Sequence, residues 1–107
     1  MKRKKTRNAL ELLARDEGND PALRRMVEEA TLNAEVAQLI YDARTEARLT
    51  QLQLAELVGT TQSAIARLED ADYNGHSLTM LRRIALALGR RVEVRLVPRR
   101  RSLTRAG

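Results

Sequence analysis

Apolar residues recur at helical spacing along most of the chain, and the gaps between the runs carry end signals. Leu10, Leu13 and Ala14 share one face of a first short stretch, Arg7 to Ala14, which stops at Gly18-Asn19-Asp20 and is too short to hold a helix alone. Asp20 followed by Pro21 predicts a helix start, because the Asp carboxylate accepts from early amides and Pro costs nothing where its N–H would have no partner. Leu23, Met26, Val27 and Ala30 follow at helical spacing. After Thr31 to Asn33 the pattern predicts a second, longer helix with Val36, Leu39, Ile40, Ala43 and Ala47 on one stripe and Asp42, Arg44 and Glu46 outside it.

Thr50 and Gln53 form a T-x-x-Q capping box, with Leu49 and Leu54 where a hydrophobic staple would pack. The helix that follows, Gln51 to Val58, is about two turns long and ends at Gly59. Thr60 and Thr61 supply a cap for another short helix, Gln62 to Glu69, whose inward positions are Ile65 and Leu68. Two short helices joined by a Gly-containing turn make a helix-turn-helix. Asp70 to His76, with Asn74-Gly75, reads as a loop, and Ser77 or Thr79 then caps a last helix through Leu88, with Leu81, Ile84, Ala85 and Leu88 inward and Gly89 as its end. Beyond it the period changes to two: Val92, Val94 and Leu96 alternate with Glu93, Arg95 and Val97 until Pro98, predicting a strand over 91–97. A lone strand needs a partner, either the same strand of a second subunit or the edge of another protein's sheet.

Composition agrees with a mainly α fold. Hydrophobic residues are 43% of the 107, but there is no Phe, no Trp and only two Tyr, so the core must be Leu, Ile, Val, Ala and Met, which favours helix on helix. The chain divides into a basic, helical arm (1–32), a helix-turn-helix domain (33–90), a dimerising strand (91–98) and a basic tail (99–107). No Cys and a single His exclude a disulfide framework, a thiolate nucleophile and the usual zinc sites, so no metal or cofactor is expected, and a reduced, cytoplasmic setting is. Met1 to Arg7 is basic, but Glu11, Arg15, Asp16 and Glu17 break the apolar run behind it, so neither a secretory signal nor a membrane span is expected.

The net charge of +6 sits at the two ends. Residues 1–7 carry +5 and residues 90–105 carry +6, whereas Glu35 to Leu88 has Arg44, Arg48, Arg67, Arg82 and Arg83 against seven acids, for −2. Such ends neutralise phosphates, attract an acidic protein or membrane face, or keep a chain soluble.

The run Q-L-Q-L-A-E-L-V-G-T-T-Q-S-A-I-A-R-L-E at Gln51 to Glu69 resembles the helix-turn-helix of the phage-repressor (Cro, XRE) type. Gln51 opens the first helix, Ala55 is the small residue at the helix crossing, Val58 and Gly59 make the turn, and Ile65 and Leu68 anchor the second helix. The resemblance extends through Leu78 to Gly89 and back to Glu35, over roughly residues 33–89, and implies a lambda-repressor-like helical bundle. With the arm, the phrase Ala64 to Asp70 and the terminal strand, the chain is most similar to HigA-type antitoxins, which neutralise a RelE- or HigB-like mRNA-cleaving toxin and repress their own operon.

The resemblance implies that the second helix enters the major groove, with Gln62 and Ser63 first to reach bases, Gln62 able to pair bidentately with adenine, and Arg67 one turn further on. Gln51, Thr60 and Thr61 would hold phosphates, with Arg44 and Arg48 adding charge and Arg82, Arg83 or the tail as further sources. A symmetric dimer on a palindromic operator, with half-sites ~34 Å apart, is implied, and Val92, Val94 and Leu96 are the candidate dimer contacts. Under the antitoxin reading Leu10, Leu13, Leu23, Met26 and Val27 are apolar anchors for the toxin. Without it, Met26, Met80 and the Leu stripes read as core, and the chain is a solitary or phage-derived dimeric regulator. Catalysis is not expected: His76 stands in an Asn-Gly loop with no nucleophile beside it, and Glu69, Asp70 and Asp72 read as solvated acids. With no aromatic platforms for single strands and no Trp- or Phe-rich face for lipid, RNA and membrane binding are secondary.

Overall fold

The computed structural model describes residues 20–99, in which there are four helices and no strand. The stretch at 7–14 with Leu10 and Leu13, the basic run at 1–7 and the tail beyond Arg99 lie outside the described residues.

The first helix, α1, spans Pro21–Glu46. Asp20 caps it as its sequence demands, Oδ1 accepting from the amides of Ala22 at 2.9 Å and Leu23 at 3.4 Å, with Pro21 in the first turn. The break expected at Thr31 to Asn33 is absent. Neither residue is Gly or Pro, and their lower helix propensity costs only a few tenths of a kcal/mol each, ~0.7 at most, which helical turns on both sides absorb. Residues 21–32 of the arm and the start of the domain therefore share one rod about 39 Å long. Its second half packs on the bundle through Ala37, Ile40 and Arg44, while in its first half Met26 is 54% exposed rather than core.

Arg48 ends this helix in the left-handed region at φ 61°. Helix α2, Gln51–Val58, then begins with both halves of the capping box formed: Thr50 Oγ1 accepts from the Gln53 amide at 3.0 Å, and Gln53 Oε1 accepts from the Thr50 amide at 2.8 Å. Gly59 closes it at φ 86°, with the amides of Gly59 and Thr60 both donating to the Ala55 carbonyl. Helix α3, Gln62–Leu68, is capped by Thr61, and helix α4, Leu78–Ala87, by Ser77.

The core is Ile40, Leu54, Ala55, Val58, Ile65, Leu68 and Ile84, with Val36, Tyr73, Met80, Leu81, Ala87 and Leu88 packed around it. Leu54 and Ile65 are fully buried where α2 crosses α3, and Ala55 beside them lets the two helices approach. The stripe on α1 is only partly inward: Leu39 is 66% exposed. Residues 90–99 form no ladder, because one chain offers this segment no neighbouring strand.

Candidate nucleic-acid interface

The start of α3 is presented to solvent by the turn before it. Thr61 in extended conformation accepts from the Ala64 amide at 3.1 Å, which spends its hydroxyl on the helix and leaves Gln62 and Ser63 exposed on the first turn. Arg67, one turn on, is exposed as well, and Thr60 is half-buried with its amide bonded back to Ala55. Ile65 and Leu68 hold the opposite face in the core, so α3 is seated by apolar contacts and shows polar groups outward.

Behind that face runs a chain of side-chain hydrogen bonds. Gln62 Nε2 donates to Gln51 Oε1 at 3.4 Å, Gln51 Nε2 donates to Glu69 Oε1 at 3.1 Å, and Glu69 accepts from Arg44 Nε at 2.6 Å and Nη2 at 3.0 Å. Arg44 Nη1 donates in turn to the Leu49 carbonyl at 2.7 Å. The link runs from the most exposed end of α3, through the first residue of α2, to a buried ion pair that joins α1 to the end of α3. Each amide keeps donors or acceptors free, so Gln62 is oriented and still able to pair with a base edge, and Gln51 still able to meet a phosphate.

Arg44, expected at a phosphate, is instead buried, with the Arg44 and Glu69 side chains 10% and 4% exposed. Its hydrogen bonds to Glu69 push the Arg44 pKa up from the ordinary arginine value, against desolvation acting the other way. Its guanidinium is used inside the protein. Glu69, read as a solvated acid, is the partner, and sequence alone hid this because the two residues lie far apart in the chain while Arg67 lay nearer. Arg48 remains exposed just ahead of the α2 cap.

Arg83 braces the turn. Its Nη2 donates to the Val58 carbonyl at 2.9 Å, satisfying an end-of-helix acceptor and bringing a cation beside Gly59. His76 is structural in the same sense: Nε2 stands 2.7 Å from the Leu68 carbonyl, and the ring meets Tyr73 edge-on at 5.1 Å. That contact makes Nε2 the protonated nitrogen, since a carbonyl only accepts. Among the described residues no group of three or more His, Cys, Asp or Glu is placed to hold a metal ion, and no helix is long and apolar enough to cross a membrane.

The expected toxin anchors that fall within the described residues lie together on the first half of α1, with Leu23 and Val27 half-buried and Met26 exposed. Val92, Val94 and Leu96 are 36%, 65% and 98% exposed.

A family model described as a helix-turn-helix domain matches residues 20–97. A curated relative from Methanothermobacter thermautotrophicus, described as an uncharacterized HTH-type transcriptional regulator, is 50% identical over 52 residues, covering 49% of this chain and 74% of its own length. No solved structure matches.

Proposed function

This chain belongs to the helix-turn-helix domain family, and from that membership we propose that it is a sequence-specific transcription regulator that reads duplex DNA with the exposed first turn of α3. The observation that carries the reading is the face that α3 presents: Ile65 and Leu68 hold one side in the core while Gln62, Ser63 and Arg67 stand exposed on the other, with Gln62 hydrogen-bonded to Gln51. Gln62 and Ser63 meet base edges, and Arg67 a guanine or a phosphate. Gln51, Thr60 and Arg48 meet the backbone, and Thr61 serves it by its place at the α3 cap. Arg44 acts from within, as a positioning residue.

Because one copy covers one half-site, the regulator works as a homodimer on a palindrome with half-sites ~34 Å apart. Selection of duplexes from a random pool by the full chain tests this reading. Enrichment of an inverted repeat at that spacing is expected; a pool that stays random after several rounds contradicts it.

A second reading places an antitoxin role on the same molecule. It is favoured by the first half of α1, where Leu23, Met26 and Val27 lie together, Leu23 and Val27 only half-buried and Met26 54% exposed. A RelE- or HigB-like toxin would cover them. Co-expression with the product of an adjacent small gene checks it: Met26→Asp abolishes co-purification under this reading, and a protein that regulates its promoter with no such partner is a solitary regulator.

A further inference from the structure

The core-facing stripe of α1 runs on past the bundle. Arg44, Ile40 and Ala37 are buried, and the same face continues toward the start of the helix, at steps of three and four residues, as Asn33, Ala30 and Met26. There it borders the loop between α3 and α4, and the two enclose an open groove of about 230 Å³ lined by Met26, Glu29, Ala30 and Asn33 of α1 and by Ala71 and Asp72 of the loop. The groove is apolar at Met26, Ala30 and Ala71 and acidic at Glu29 and Asp72. Met26 is 54% exposed, and among the described residues neither carboxylate has an ion partner.

The stretch Arg7 to Ala14 fits this groove in length, spacing and charge. It carries Leu10, Leu13 and Ala14 at helical spacing and is too short to hold a helix alone. The link to α1, residues 15–20, reaches ~20 Å, twice the ~8–10 Å that separates packed helices, and contains Gly18 and Asn19 for a reversal. A reversal centred on Gly18 brings positions equally far before and after it level with each other, to within a turn: Leu13 with Leu23, Leu10 with Met26, and Arg7 with Glu29. Lys2, Arg3, Lys4 and Lys5 follow with four more positive charges for a groove that holds Glu29 and Asp72. We propose that residues 7–14 of this chain occupy the groove, antiparallel to α1, as the first member of a helical hairpin. Tethering favours the chain's own segment over a second copy or a separate partner, because a link this short holds it at an effective concentration in the ~mM range. Leu10 and Leu13 then cover Met26 and Leu23, and a partner of the kind the second functional reading requires must displace the segment or bind it together with α1.

This contact stands independently of the DNA reading, and the absence of Cys from the chain makes it testable by cross-linking. Leu10→Cys with Met26→Cys in the full chain, oxidised by copper phenanthroline, is expected to close a disulfide within one chain, at a rate independent of protein concentration. The rate is expected to exceed, on the order of tenfold, that of Leu10→Cys with Leu39→Cys, whose second site is exposed but ~20 Å further along α1. Equal rates in the two pairs overturn the proposal, and a disulfide joining two chains overturns it in favour of a second copy. Both substituted positions on α1 are exposed, and circular dichroism verifies that the variants fold. Hydrogen exchange needs no cysteine: in the unaltered chain the amides of residues 10–14 exchange on the order of tenfold more slowly than in Met26→Asp. Exchange at the same rate in both chains overturns the proposal as well.

Discussion

Taking a guanidinium and a carboxylate out of water is expensive, and Arg44 and Glu69 meet that cost through bonds in several directions: two from arginine to carboxylate, one to the Leu49 carbonyl and one from Gln51. Removing one member strands the other. Glu69→Ala is expected to cost ~3–5 kcal/mol in urea unfolding, whereas Arg44→Met with Glu69→Leu costs far less, since no charge remains buried. Near-equal losses in the single and double variants would refute the account of this pair. The raised Arg44 pKa fixes the sign with pH: its contribution is complete below the ordinary arginine range and fades only at more alkaline pH, so this arginine adds no pH dependence near neutrality.

Among the elements, the two turns flanking α2 solve one problem with different residues. Arg48 at φ 61° and Gly59 at φ 86° both take the left-handed conformation that ends a helix. Gly59→Ala is expected to destabilise by ~1 kcal/mol, because a Cβ is disfavoured at that φ although space exists for it. Arg48→Gly goes the other way and gains roughly 0.5 kcal/mol, the left-handed penalty relieved less the entropy glycine adds to the unfolded chain. Denaturant midpoints check both, and a stabilising Gly59→Ala would contradict the geometry. These ends were legible in the sequence where a residue acts on its own stretch of backbone: Asp20, Thr50 with Gln53 and Ser77 through their side chains, and Gly59 through its left-handed conformation. Continuity of α1 was not, since Thr31 and Asn33 weaken a helix without ending it, and the turns on either side decide. The same limit hid Glu69 from view, because its partner is brought to it by packing rather than by spacing.

For the molecule as a whole, the charge is divided between function and its support. The helix-turn-helix itself has no excess of cations, and its exposed amides and hydroxyls suit recognition of bases more than capture of phosphates. The positions proposed to meet DNA stand in the run Gln51 to Glu69, whereas the hydrogen bonds linking Gln62, Gln51 and Glu69, Arg83 bracing the turn, and the ion pairs of Arg90 and Arg99 with the first helix needed the folded chain. Leu39 shows why: a helical stripe states which positions are apolar, and not whether the same chain or a second one covers them.

The proposed reading of DNA sets Gln62 against a base edge. Fluorescence anisotropy of the unaltered chain and Gln62→Ala, each on the selected duplex and on a scrambled one at a single salt concentration, decides whether it meets one. A loss of ~1–3 kcal/mol is expected on the selected duplex and almost none on the scrambled one. Equal losses on both, or none on either, would contradict that role.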